Sequence, residues 1–330
     1  MADVWQGLAA AFDPLVLGFL FVGVCLGAVF GALPGLTATM GVAVLTPLTF
    51  WISAEQGLAM LLGIYCGAIP AGGIPAILIN VPGTPASIAT AWDGYPLAQS
   101  GRAGLALGIN ALAGALGQLV SILFLAVAAF PIAAFALRFG PAEYFGLSLM
   151  AGVSGGRVIP GLLAGSLGLA LATIGLDPMT AYPRFAFGRS ELLDGVSFVP
   201  VMIGLFGLAE VLVQIAERRS GRVESAAEAP SLGGVLPSGA EWRRIAPSAA
   251  AGAGIGTLVG AVPAAGGDIG SVVAWEQARR ASRHADEFGK GAIEGLSAAV
   301  AAANAAIGGA MTTMLTLGIP GDAVSAILIG

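Results

Sequence analysis

Residues 67–90 read GAIPAGGIPAILINVPGTPASIAT. An apolar run is interrupted by Pro82-Gly83-Thr84-Pro85 and then resumes. Proline removes a backbone donor and glycine loosens the chain, so one helix should end and another begin inside an apolar segment. Thr84 suits the N-cap of the new helix and Pro85 its first position. That helix would start at membrane depth with free N–H groups and a positive dipole end, a place for a carboxylate. The hydroxyls of Thr84 and Ser87 add neutral hydrogen-bonding groups. Before the break, the carbonyls of Leu78, Ile79, Asn80 and Val81 lose their helical partners. A Na⁺ ion joined by the Asn80 side-chain oxygen is one way to satisfy them; neighbouring helices and water are another.

Residues 305–330, AAIGGAMTTMLTLGIPGDAVSAILIG, carry a similar pattern. Aligning Pro82-Gly83 with Pro320-Gly321, an offset of 238, puts Ser325 opposite Ser87 and Asp322 opposite Thr84. An earlier break, Leu33-Pro34-Gly35, is followed by Thr37 and Thr39, and Val262-Pro263 resembles it. The offset from Pro34 to Pro263 is 229, and it carries Gly23, Gly27, Gly31 and Gly41 onto Gly252, Gly256, Gly260 and Gly270. It also carries Thr39 onto Asp268; the nine-residue difference between the offsets fits in the charged loop 275–290. Apolar segments broken by Pro-Gly at corresponding places in two halves point to a transporter binding site.

Composition sets the class. Only 10% of the 330 residues are charged and 57% are hydrophobic, with a mean hydropathy of +0.89. A soluble domain carries about 25% charged residues, so this chain cannot cover a water-facing surface of its size. Its long continuous apolar runs approach the roughly 20 residues of a spanning helix and lack the period-two alternation of a membrane barrel. The expected fold is an all-α polytopic membrane protein with an internal, inverted repeat built from broken helices and re-entrant hairpins. Cys25 and Cys66 lie in apolar runs and read as free thiols, and His284 is the sole histidine. Neither a metal site nor paired acids at membrane depth are available, so no enzyme and no cofactor are expected. No basic patch suggests nucleic acid.

The first half is expected over 1–216, a charged cytoplasmic linker over 217–246, and the start of a second half over 247–330. Residues 92–102 read as an interfacial loop. Roughly 130 residues follow the first Pro-Gly break before the linker, against nine after Gly321. The repeat therefore expects about four further helices beyond this piece. No Lys or Arg precedes Arg102, and loop 51–56 has none, while loop 275–290 has Arg279, Arg280, Arg283 and Lys290. The positive-inside rule then places the first loop outside and the second inside, which inverts one half relative to the other.

The residues expected to bind substrate are Pro34, Gly35, Thr37, Thr39, Asn80, Pro82, Gly83, Thr84, Ser87, Pro320, Gly321 and Ser325. Asn80, Asp268, Asn304 and Asp322 are the candidates for handling a coupling cation or proton. An ionisable residue at membrane depth is a functional candidate by default. Each has a plainer reading too: helix capping for Asp322, solvation near the interface for Asp268, and interhelical hydrogen bonding for Asn304.

The chain resembles the large membrane subunit of the tripartite tricarboxylate transporters, the TctA family. The resemblance is carried by GALPGLTATMG at 31–41, NVPGTPASIATAWDGYPLAQSGRAG at 80–104, EFGKGAIEG at 287–295 and LTLGIPGDAVSAILIG at 315–330. It implies a multi-pass permease of the bacterial cytoplasmic (inner) membrane that works with a small membrane subunit and a periplasmic solute-binding protein. It further implies secondary uptake of tricarboxylates or related small carboxylates, coupled to Na⁺ or H⁺. Where many relatives have Pro-Glu and paired asparagines, this chain has Ala299-Val300 and Asn304 alone. A passive anion channel and a membrane assembly subunit that transports nothing are the alternatives.

Overall fold

The structure, a computed structural model, describes residues 7, 10–136, 158–176, 182–189, 192–193, 195–196, 212, 233–262 and 265–329. Among these the protein is all-α, apart from a two-residue antiparallel ladder, Gly175–Leu176 with Pro183–Arg184. Helices α1 (Pro14–Ala32), α2 (Ala38–Thr49) and α3 (Ala54–Ala71) open the chain. Then come α4 (Gly73–Ile79), a 3₁₀ turn at Pro85–Ser87, α5 (Ile88–Leu97) and the long α6 (Ala103–Ala136). Helix α7 (Val158–Ala172) follows, then α8 (Gly239–Gly260), α9 (Gly266–Ala281), α10 (Ile293–Leu317) and α11 (Ala323–Ile329). Among the described residues, four segments are long and apolar enough to cross a membrane: 14–32, 54–79, 85–129 and 293–317. Most of the end of the first half, residues 197–216 apart from 212, lies outside the described residues, and Pro263 lies outside them too.

Two close helix pairs frame the molecule. A Cβ at Gly23, Gly27 or Gly31 of α1 would land on the carbonyl oxygens of Met60, Ile64 and Ala68 in α3. A Cβ at Gly252, Gly256 or Gly260 of α8 would land on those of Ala298, Ala302 and Ala306 in α10. In hydrocarbon, close backbone approach replaces the hydrophobic effect as the source of helix association, and small residues permit it. The two contact sets correspond position by position: the glycines by the offset of 229, their partners by 238. Gly83 sits on the Gly31 carbonyl and Gly321 on the Gly260 carbonyl, again at 238 and 229. Helix α10 is buried along nearly its whole length. Small and apolar residues dominate all its sides, as suits a central helix, with Ser297, Asn304, Thr312 and Thr313 among them.

The breaks in α3 have their own accounting. Pro70 lies inside the helix and has no N–H, so the Cys66 carbonyl loses its bond. Gln118 of α6 supplies it, Nε2 donating to the Cys66 oxygen (2.9 Å), and Asn110 Nδ2 donates to the Pro70 oxygen (2.9 Å). Gln118 also donates to Asn304 Oδ1 (3.3 Å), while Asn304 Nδ2 donates to the Val300 carbonyl (2.9 Å). Side chains of neighbouring helices thus satisfy groups freed where no water is available.

One expectation needs correction. Residues 92–102 are not an interfacial loop but the end of α5 and a π turn at Ala98–Arg102, with Gly101 in the left-handed region (φ 83°). Asp93 within them is fully buried. Helix α8 starts at Gly239, within the segment expected as linker, with Ser238 and Glu241 forming a capping box. Arg243 and Arg244 are therefore helical. Arg244 pairs with Glu287 (2.6 Å) and Glu294 (3.1 Å), and Arg102 pairs with Glu241. These contacts gather the first-half Arg102 and the 282–294 segment at one end of α8.

Candidate functional site

A cavity of about 550 Å³ lies where the two halves meet. Four helix starts converge on it. Helix α2 brings Thr37, Ala38 and Thr39, and the 3₁₀ turn leading into α5 brings Thr84, Pro85 and Ala86. Helix α9 brings Ala265 through Asp268, and α11 brings Pro320 and Asp322 through Val324. Each start presents N–H groups without helical acceptors and a partial positive charge. Tyr65 and Ile69 of α3 and Ala303 of α10 supply part of the wall. Most of this lining pairs by the same two offsets: Thr37, Ala38 and Thr39 with Gly266, Gly267 and Asp268, Tyr65 with Ala303, and Thr84, Pro85 and Ala86 with Asp322, Ala323 and Val324.

The tips at 84 and 322 are built alike. The Thr84 N–H donates to Ser87 Oγ (3.1 Å), and Ser87 Oγ donates to the Thr84 carbonyl (2.7 Å). The Asp322 N–H donates to Ser325 Oγ (2.9 Å), whose hydroxyl donates to the Asp322 carbonyl (2.9 Å). Asp322 Oδ1 also accepts from the Ser325 N–H (2.8 Å), so it caps α11. Its other oxygen, Oδ2, accepts from the Tyr65 hydroxyl, which ties α3 to the second tip. Asp268 differs. It lines the cavity at the first turn of α9, and its carboxylate has no side-chain partner among the described residues. No Lys, Arg or His lines the cavity among the described residues.

Of the residues singled out from sequence, Thr37, Thr39, Thr84, Pro320, Asp268 and Asp322 line this space. Ser87 and Ser325 lie behind it, buried and engaged in capping. Gly83 and Gly321 serve packing, and Pro82 lies off the lining. Pro34 is exposed and Gly35 takes φ 95°; both turn the chain toward Thr37 without reaching the cavity. Asn80 is exposed and left-handed (φ 55°), and its amide and that of Val81 close on the Pro75 carbonyl. It caps α4 outside the cavity instead of joining a site with the freed carbonyls. Asn304 is occupied between Gln118 and Val300, the interhelical role. Tyr65 was missed. A tyrosine five residues before a proline in an apolar run is a usable signal, because a buried phenol needs a partner.

Comparison with known proteins bears on this geometry. The chain is 38% identical over 335 aligned positions to an uncharacterized 52.8 kDa protein in the TAR-I ttuC′ 3′ region of Agrobacterium vitis, covering 100% of this chain and 66% of that protein. A second protein of the same organism, from the TAR-II ttuC′ 3′ region, is 37% identical over 75 residues, covering 23% of this chain and 31% of its own length. The chain thus spans less than two thirds of either curated relative. No solved structure matches it. Residues 17–330 match the family described as Tripartite tricarboxylate transporter TctA. On that match, the chain belongs to the TctA family of tripartite tricarboxylate transporters, a family of transporters and not of enzymes.

Proposed function

We propose that this chain forms the substrate pathway of an ion-coupled permease of the bacterial inner membrane. In this reading it takes up tricarboxylates or related small carboxylates together with a small membrane subunit and a periplasmic binding protein. The observation that carries the reading is the convergence of four helix N-termini on one cavity that also holds two carboxylates and, among the described residues, no basic side chain. Each N-terminus carries at most about half a positive charge. Together they offset Asp268 and Asp322 and leave little to attract a further anion. A carboxylate therefore needs an accompanying cation or proton in the same space, which is the physical content of symport. Asp268, without a side-chain partner among the described residues, is the group for that ion. Thr37, Thr39 and Thr84, beside the N-termini of α2 and α5, are the groups for the substrate.

The paired lining supports an inverted repeat, with the cavity on its pseudo-two-fold axis. In this reading loop 51–56 faces the periplasm and loop 275–290 the cytoplasm. Cysteines placed in the two loops should label from opposite sides of the membrane; labelling from one side sinks the inversion.

Transport itself is tested with the full-length protein and its two partners in proteoliposomes. Asp268→Asn should abolish cation-dependent concentrative uptake, with the protein folded and inserted. Unchanged uptake refutes the assignment. Downhill flux without any ion requirement favours a passive channel.

A further inference from the structure

We infer that Asp93 is a positioning residue, whose carboxylate holds helix α9 so that Asp268 reaches the cavity. Its importance for transport rests on the reading of the cavity given above. Asp93 has no exposed surface. Its Oδ2 accepts from Trp275 Nε1 (2.6 Å), and its Oδ1 accepts from the amides of Gly289 (2.7 Å), Gly291 (3.1 Å) and Ala292 (2.9 Å). A buried carboxylate with four donors forms short, charge-assisted hydrogen bonds in a fixed geometry. No basic side chain pairs with it among the described residues. All four donors belong to the second half, roughly 180 to 200 residues along the chain from Asp93.

The surroundings hold these donors in place. Trp275 is packed edge-on between Trp92 (4.9 Å) and Phe288 (5.5 Å). Gly291 takes φ 111°, which turns successive amides toward one oxygen. A Cβ at Gly295 would collide with both Asp93 and Trp275.

The link to the cavity runs along α9. Asp268 and Trp275 are seven residues, two helical turns, apart and share a face. At the cavity end Gly267 lies against Ala86; at the far end Trp275 meets Asp93. Ala86 and Asp93 are also seven residues apart, so the segment 85–97 and α9 run side by side in the same direction, joined at both ends. A helix fixed at Trp275 carries its first turn with it. Asp93 also supplies the cap that α10 lacks locally, because Ala292 at that N-cap has no side-chain acceptor.

The two roles, positioning α9 and merely helping the fold, separate in a labelling experiment on the full-length protein in detergent. Cys25 and Cys66 are replaced by alanine and Asp268→Cys is the reporter. The rate of maleimide labelling of the folded, monodisperse fraction is measured with and without Asp93→Asn. Positioning predicts a rate change of fivefold or more, with Trp275→Phe shifting it in the same direction by less. If the folded fraction of Asp93→Asn labels within fivefold of its parent, the inference is overturned. Should Asp93→Asn not accumulate, Trp275→Phe decides: a shift of twofold or more sustains the inference and an unchanged rate overturns it. In proteoliposomes with Asp268 intact, Asp93→Asn should raise the half-saturating cation concentration at least fivefold. Normal uptake by Asp268→Asn refutes the transport reading but leaves the labelling result to judge Asp93 alone.

Discussion

At the tip formed by residues 82–87 the side chain facing the cavity is a threonine; at the tip formed by 320–325 it is an aspartate. The backbone of the two tips is held the same way, by a serine three residues on and by a glycine pressed on a carbonyl in the last turn of α1 or α8. The same contrast recurs at Thr39 against Asp268, while Ala303, the counterpart of Tyr65, offers only a methyl group. The packing elements are common to both halves, and the chemistry is not. A scaffold that fixes its tips through Gly and Ser leaves the N-cap position free to carry either a neutral hydroxyl or a charge. In the proposed reading, substrate and ion are handled by different halves of one cavity.

The largest effect should come from disturbing what the halves share. Gly27→Leu and Gly256→Leu both drive a side chain into a carbonyl of the facing helix. The surroundings differ, because α1 buries only Gly23, Gly27 and Gly31, whereas α8 packs on the fully enclosed α10. Overpacking costs about 1–3 kcal/mol and more where nothing can yield. Gly256→Leu should eliminate monodisperse protein on size exclusion, and Gly27→Leu should lower the melting temperature of a protein that still folds. Equal tolerance of both would mean that the two helix pairs are not the common frame.

What the halves share was largely legible in the sequence. Pro-Gly breaks and glycines at four-residue spacing are local signals, and each has one cheap structural answer in a membrane. The chemistry was legible only in part. Thr84 and Asp322 follow directly from their breaks, and so do Thr39 and Asp268. Asn80 also sits at a break, but its left-handed backbone turns it outward to cap α4 (φ 55°). Asp93 was hidden for a different reason. WDGYPLAQSGR reads as an interfacial loop, because the four donors to Asp93 lie in another part of the chain. A buried carboxylate cannot be told from an exposed one until those donors are known.

Asp322→Ala tests the difference between the tips. It removes the acceptor for the Ser325 N–H and strands the Tyr65 hydroxyl. Leaving buried donors unpaired costs about 1–3 kcal/mol. Thr84→Ala leaves the Thr84 N–H paired with Ser87, so its cost should fall below about 1 kcal/mol. Thermal unfolding in detergent should show the larger loss for Asp322→Ala. The reverse order would make Thr84 the structural member of the pair and would remove the argument that Asp322 caps and ties the second tip.

The smallest effect concerns the N-terminal ends of α3 and α10, which correspond to within one residue by the offset of 238. Helix α3 starts with a local capping box: the Gln56 N–H donates to Ser53 Oγ, and the Ser53 N–H donates to Gln56 Oε1, both at 3.4 Å and exposed. Helix α10 starts at Ala292 and takes its acceptor from Asp93. Water can replace the cap at an exposed end, so Ser53→Ala should cost about 0.5 kcal/mol, the low end for loss of a cap. The melting temperature should hardly move, and uptake should be unaffected. A loss comparable to that of Asp322→Ala would show that the 51–54 end is buried in the assembled transporter. Ser53 would then contact a part of the assembly beyond the described residues, and the contrast between a solvent-replaceable cap on α3 and one supplied by the other half on α10 would no longer hold.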